Sequence, residues 1–275
     1  MYDGVKLFLE IVGWFFVLYL LGYSTFLFVS VLTGSPELYK HARREQLKVF
    51  LPADDQLPVS IIVPAHNEEI TAADTVRSLL ALDYRAYEII VVDDGSTGDT
   101  VRVLTEAFDL HRIQRPIHRR VPSEREEAVY ESRSHKVPLT LICKKNGGKA
   151  DALNMGINAA RFPYFICMDA DSVLQYDSLR RIVQPVLEDG NAVAVGEDME
   201  LVVRLHEYCS AHGISYAVRC ASNAVCWTQV PERLGDLCRQ RKRWHLGLFQ
   251  SLNRHRDMFP TGGSGRWGIF PICIF

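Results

Sequence analysis

Four short apolar runs limit what this chain can fold into: Val59 to Val63, Tyr87 to Val92, Leu139 to Cys143 and Tyr164 to Met168. The first two read VSIIV and YEIIVV. Runs so rich in β-branched residues, with little polar alternation, suit strands buried on both faces. Between them lie segments of helical pattern at Thr71 to Leu82, Asp99 to Phe108 and Lys149 to Ala160. Strands alternating with helices predict an α/β domain with a mostly parallel central sheet. Further helices are expected over Leu174 to Glu188, Asp198 to Ala211 and Arg233 to Asn253, with a short strand at Ala192 to Val195. The stretch Leu110 to Val137 is rich in Arg, Glu and Pro without apolar periodicity, and reads as an exposed insertion.

The N-terminus follows another rule. From Leu7 to Leu32 the only charge is Glu10. Such a run can cross a hydrocarbon core that needs about 20 apolar residues. Lys40, His41, Arg43, Arg44 and Lys48 follow it, against Asp3 and Lys6 before it. Positive flanks stay inside, which predicts a membrane helix with the rest of the chain cytoplasmic. A cleaved signal peptide fits less well, because the run is long and lacks a small-residue cleavage pattern. Gly34-Ser35-Pro36 is expected to stop the helix and open a charged linker. The expected organisation is a transmembrane helix over 1–34, a linker over 35–57, the α/β domain over 58–255 and an interfacial segment over 256–275.

A net charge of −2 over 275 residues gives no electrostatic footprint for nucleic acid, and none is expected as a partner. Seven cysteines without a CxxC pair read as reduced thiols in a reducing compartment.

The chemistry concentrates just after the strands, where ligands bind in open parallel sheets. Pro64-Ala65-His66-Asn67-Glu68-Glu69 follows the first run, Asp93-Asp94-Gly95-Ser96 the second and Asp169-Ala170-Asp171 the fourth. Any one of these could be an acidic turn or helix cap. Three on one edge would repel unless a cation or a donor-rich ligand neutralises them. Two carboxylates two residues apart, Asp169 and Asp171, suit Mg2+ or Mn2+ completed by phosphates and water. Asn146-Gly147-Gly148-Lys149 opens a helix, where glycines admit a phosphate to the backbone and Lys149 adds a point charge; a plain Gly-rich turn is the simpler reading. Asp198 is a helix N-cap by position, or a base that takes a proton from a hydroxyl. Gln240 and Arg243 lie three apart on a helix, with Trp244 beside them, suited to a diphosphate and a sugar face or to a lipid surface.

In this order the motifs resemble family 2 glycosyltransferases, and among them the processive membrane synthases of cellulose, chitin, hyaluronan and poly-N-acetylglucosamine. The resemblance implies a GT-A-type nucleotide-sugar-binding fold behind a transmembrane helix. It implies that Pro64, Ala65, Asn67, Glu68, Asp93 and Asp94 hold the nucleotide, and that Lys149 meets the diphosphate. It also implies that Asp169 and Asp171 hold the metal, that Asp198 in Gly196-Glu197-Asp198 is the base, and that Gln240, Arg243 and Trp244 form the QxxRW acceptor and diphosphate motif. The implied reaction is an inverting transfer from a UDP-sugar, favoured as UDP-N-acetylglucosamine, to a growing glycan at the cytoplasmic face of the plasma membrane. Transfer of one sugar to a lipid phosphate, or binding without transfer, are the alternatives; a nucleotidyltransferase on the same sheet would place its phosphate loops differently. Two departures stand out. Only about 25 residues separate Asp171 from Glu197, where such synthases carry several dozen more. Trp267 to Phe275 resembles the start of a membrane segment where such synthases continue with further helices.

Overall fold

The computed structural model describes residues 2–47, 56–195, 199–221, 223–228, 230–231 and 233–254. Two compact units are present, Met1–Asp55 and Gln56–Phe275.

The first unit is one helix, α1 (Tyr2–Leu47). Its stretch Gly4–Thr33 has 30 residues, a mean hydropathy of 2.1 and no burial. At about 1.5 Å per residue that is roughly 45 Å of apolar cylinder, more than the ~30 Å core of a bilayer. Three of its hydroxyls bond within the helix: Thr25, Ser30 and Thr33 donate to the carbonyls of Leu21, Phe26 and Val29 at 2.8, 2.8 and 2.9 Å. The expected stop at Gly34-Ser35-Pro36 does not occur, and α1 runs through it into the expected linker. A proline removes one helical N–H and locally strains the turn before it. Here strong helix formers follow it in Glu37-Leu38 and Ala42-Arg43-Arg44-Glu45-Gln46-Leu47 and carry the helix on.

The second unit opens with β1 (Val59–Ala65), α2 (Ala72–Leu80), β2 (Tyr87–Asp94) and α3 (Thr100–Ala107). Then come β3 (Leu110–Ile113), β4 (Glu126–Ser132), β5 (Leu139–Lys144), α4 (Lys149–Ala159) and β6 (Tyr164–Cys167). These strands make a six-stranded sheet in the order β3-β4-β5-β2-β1-β6. The four strands expected from the sequence, β1, β2, β5 and β6, are mutually parallel. The expected insertion over Leu110 to Val137 instead supplies β3 and β4, which pair antiparallel at the edge of the sheet. Its patterning is weak because β4 is an outer strand that buries only Val129 and carries Glu126, Glu127 and Glu131.

β1 and β2 are buried along almost their whole length because both their faces are covered. Val59, Ile61, Val63, Ile89, Val91 and Leu141 pack against Val76 and Leu79 of α2 and Leu104 of α3. Ile90, Val92 and Ile142 pack on the opposite side against Ala152, Met155 and Ala159 of α4. Each large aliphatic side chain so buried stabilises by roughly 1.5–3 kcal/mol. Gly156 lets α4 come this close, since a Cβ there would lie 2.2 Å from Ile62 Cγ2.

Beyond β6 the chain forms β7 (Ser172–Leu174), α5 (Ser178–Glu188), β8 (Ala192–Val195), α6 (Met199–Ala211), β9 (Ala217–Arg219), β10 (Cys226–Thr228) and α7 (Leu234–Arg254). The expected helix over Leu174 to Glu188 is thus the end of a strand followed by a shorter helix. β7 pairs antiparallel with β10, and β8 parallel with β9, each apart from the main sheet. β6 is half-exposed, unlike the buried strand expected at Tyr164 to Met168. Among the described residues it pairs only with β1, so Tyr164 and Phe165 keep an open side.

Candidate active site

Parallel strands all end on one side of a sheet, so the loops after β1, β2, β5 and β6 gather there. The first two loops are sewn together. Asn67 takes a left-handed φ of 56°, which Asn tolerates, and its Oδ1 accepts from Thr97 N, Thr97 Oγ1 and Gly98 N at 2.8, 3.3 and 3.4 Å. Ser96 Oγ accepts from Asn67 N at 2.9 Å, and Thr100 Oγ1 from Glu68 N at 3.0 Å. Glu68 accepts from Thr71 at 2.7 Å. Pro64 and Ala65 end β1 with Ala65 buried, and His66 Nδ1 donates to the Asp94 carbonyl at 2.9 Å. Gly95 cannot carry a side chain, because its φ is 67° and a Cβ would lie 2.6 Å from Asn146 N.

Asp93 and Asp94 are neighbours in the sequence and differ in surroundings. Asp93 is buried; Ser96 N reaches its Oδ2 at 3.3 Å and its Oδ1 has no partner. Burial pushes this carboxyl above its ordinary range, only partly offset by Ser96 and His66. Asp94 is well partnered: it accepts from Lys144 Nζ, and from Gly147 N at 3.0 Å and Gly148 N at 2.8 Å. Burial alone would raise it, but those donors outweigh burial and hold it below the usual carboxylate range.

The expected phosphate loop is therefore differently employed. Two of its backbone N–H groups point at Asp94. Lys149 Nζ lies 2.5 Å from Asp169 Oδ1, with both side chains more than half exposed.

Asp169-Ala170-Asp171 forms the turn between β6 and β7. Ser172 N donates to the Asp169 carbonyl at 3.2 Å, and Thr75 Oγ1 holds the buried Ala170 by its carbonyl at 2.7 Å. Asp171 accepts from Ser172 Oγ at 3.3 Å. No cluster of three His, Cys, Asp or Glu side chains able to hold a metal occurs among the described residues. The pair Asp169 and Asp171 still fits Mg2+ or Mn2+, which takes one or two carboxylates and completes its shell with phosphates and water.

Asp171 also lines a groove of about 710 Å³ with Val230, Asp236, Gln240, Lys242 and Arg243. Residues nearly seventy positions apart in the chain thus share one surface. Trp244 stands half-exposed beside it, with the Arg241 guanidinium 4.8 Å from its ring centroid. Glu197 and Asp198 lie outside the described residues, as does the segment 256–275.

Sequence reasoning missed Lys144, the largest of the fully buried side chains, which meets Asp94 and, at 2.7 Å, Asp151 Oδ1. Its signal was a lysine closing an otherwise apolar strand. Asp236 and Lys242 in the groove carried no signal beyond their place near the QxxRW motif.

A sequence model described as Glycosyl transferase family 2 matches residues 60–200, just over half of the chain. The chain belongs to this family. A second model, Glycosyl transferase family group 2, matches residues 188–274 of this glycosyltransferase. The poly-beta-1,6-N-acetyl-D-glucosamine synthase of Staphylococcus aureus (strain COL) is 24% identical over 93% of this chain and 70% of its own length. That of Staphylococcus epidermidis is 23% identical over 74% of this chain and 57% of its own. The S. aureus alignment runs over 319 residues, more than the 275 of this chain, so the synthase has residues in that span that are missing here. A mannosyltransferase from Pyrobaculum calidifontis, solved with GDP-Man and Mn2+, superposes with a TM-score of 0.53 at 21% identity over 86% of this chain and 75% of that one. It establishes the GT-A type of fold. S. aureus TarS with UDP-GlcNAc matches at a TM-score of 0.38 and 20% identity, over 51% of this chain and 35% of that one.

Proposed function

We propose that this glycosyltransferase adds sugars, N-acetylglucosamine by preference, from a UDP-sugar to a growing polysaccharide at the cytoplasmic face of the plasma membrane, with inversion. The observation that carries this reading is the groove in which Asp171 of the DxD turn meets Gln240 and Arg243 of the QxxRW helix. A donor diphosphate and an acceptor sugar need such a junction. The likeness to poly-beta-1,6-N-acetyl-D-glucosamine synthases supports the polymer and the sugar. The apolar span Gly4–Thr33 supports the membrane anchor, and the basic residues after it support the orientation.

On this reading the uridine lies over the loops after β1 and β2, with Pro64 and Ala65 as its floor. Asn67 and Glu68 shape the rim through their loop bonds. Asp93, buried and with a free oxygen, accepts a hydrogen bond from the base. Lys149 leaves Asp169 and turns to the diphosphate, while Asp169 and Asp171 would hold Mg2+ or Mn2+. When bound, the metal would supply positive charge beside the departing diphosphate. Arg243 and Gln240 donate to the same phosphates, and Trp244 offers a face to the acceptor sugar. The acceptor hydroxyl gives its proton to Asp198 as its oxygen bonds to the anomeric carbon. The bond from that carbon to the phosphate oxygen breaks on the far side, so configuration inverts and UDP leaves.

The test is transfer of radiolabel from UDP-N-acetylglucosamine by the full chain in detergent or vesicles with Mn2+. Long labelled products support the reading. A single-sugar lipid would put the chain among lipid-phosphate transferases. Retained UDP binding without any transfer would make it a binding remnant, in keeping with the shortened span before Glu197. Calorimetric titration of UDP into Asp171→Ala with Mn2+ present checks the metal pair, and wild-type affinity there would remove Asp171 from the site.

A further inference from the structure

Lys144 sits at the last position of β5 with no solvent contact, an unusual place for an ammonium group. Three oxygens surround it: an Asp94 carboxylate oxygen, Asp151 Oδ1 at 2.7 Å and the Lys145 carbonyl at 2.8 Å. Each partner is tied onward. Asp94 takes the N–H groups of Gly147 and Gly148. Asp151, in the first turn of α4, takes Glu124 N at 3.1 and 3.0 Å. The register between β2 and β5 sets Asp94 directly opposite Lys144. One buried cation thus links the end of the nucleotide-side strand, the glycine loop, the start of α4 and the chain segment before β4. Lys149 is the residue that this loop and helix jointly carry.

We propose that Lys144, Asp94 and Asp151 form a clasp whose task is to aim Lys149 at the donor's diphosphate, and that of the two aspartates Asp94 positions this loop while Asp93 touches the nucleotide. The inference rests on the donor-site reading above. It divides labour between two adjacent aspartates by their bonding: one carboxylate has both oxygens filled by the protein, the other has a buried oxygen that nothing fills. Three protein donors, at least one on each oxygen, already engage Asp94, so of the two it is the carboxylate tied to the loop. The glycines serve the clasp, because two successive N–H groups can reach one carboxylate only where the loop turns tightly.

The clasp predicts that the two halves of the donor respond separately. In full-length protein in detergent, Asp94→Asn keeps one acceptor oxygen but loses the charge that Lys144 faces. It should weaken binding of UDP with Mn2+ by about tenfold or more, as misaimed groups do, and leave uridine binding unchanged. Asp93→Asn should weaken uridine and UDP alike. A purely structural role for Asp94 would lower the melting temperature without changing the ratio of UDP to uridine affinity. Hydrogen–deuterium exchange of the peptide holding Gly147 and Gly148 gives a readout independent of any ligand. It should quicken in Asp94→Asn and in Lys144→Met without a matching rise across β1 and β2. If Lys144→Met does not fold, Asp94→Asn decides the matter. Equal loss of uridine and UDP in Asp94→Asn, or unchanged exchange at the glycines, overturns the clasp. If the wild-type chain binds neither ligand, the donor-site reading fails, and the exchange experiment still decides whether the clasp exists.

Discussion

β1 and β2 bury nearly every side chain they carry, whereas β6 leaves Tyr164, Phe165 and Cys167 exposed. The contrast extends outward from these strands. On the β2 side, loops are knitted by Asn67, Asp94 and Lys144. The segment before β4 is strapped to α4 by Asp151, Asn154 and Asn158, which bond the backbone of residues 120–124. On the β6 side, the chain continues as two separate two-stranded ribbons and long helices, and α7 exposes Leu234, Trp244, Leu246 and Phe249. The tightly built region holds the proposed nucleotide contacts. The looser one holds the proposed acceptor contacts. A rigid donor pocket can therefore persist while the part that receives the sugar varies.

The largest effect expected on this contrast is at Asp198. Asp198→Asn should cut transfer by about 10²- to 10⁴-fold and spare UDP binding, if this carboxylate is the base. Near-normal transfer with Asn there would reduce Asp198 to a helix cap. The assay is run both in this chain and in a version carrying the synthase's additional residues. Transfer by the longer version alone would locate the deficit on the β6 side.

Next comes Gly156→Val, which pushes α4 off the sheet at Ile62. It should destabilise by roughly 1–3 kcal/mol, the usual cost of overpacking. Thermal or chemical unfolding reads it, and an unchanged midpoint would show that the β2 side is less tightly packed than it looks.

Asp93→Asn should act in two directions. Because burial lifts the Asp93 carboxyl above its unfolded value, the folded chain keeps a proton that the unfolded chain has released. Its contribution is favourable below the ordinary carboxylate range and is lost as pH rises through the raised folded value. The variant should therefore melt at a higher temperature than wild type at neutral pH and lose that advantage in acid. Melting curves across pH check this, and a variant that tracks wild type throughout would show that the group carries no such strain.

The smallest effect is expected on the open strand. Phe165→Ser should change stability by no more than about 0.5 kcal/mol, as for exposed sites generally. A large loss would mean that something covers β6 in the full-length protein.

Much of the β2 side was legible in the chain itself. Strands buried on both faces are mostly apolar, so β1, β2 and β5 stood out, and polar motifs could be assigned to their ends. β3 and β4 did not stand out, because an outer pair can satisfy its backbone by hydrogen bonding while its side chains stay charged. The helix stop at Pro36 was misread because propensity after the proline outweighed one lost bond. The ends of β6, β7 and α5 blurred because short edge strands impose little pattern.

Burial and turn chemistry act on neighbours along the chain, so the parallel core strands and the polar residues at their ends can be read from the residues alone. Which of those residues are spent inside the protein depends on pairing across strands. Asp93 and Asp94 look alike as a pair of letters. Strand alternation turns one side chain away from Lys144 and leaves its Oδ1 without a protein partner, and turns the other onto Lys144, fifty residues away, and it is that pairing across strands that separates their surroundings.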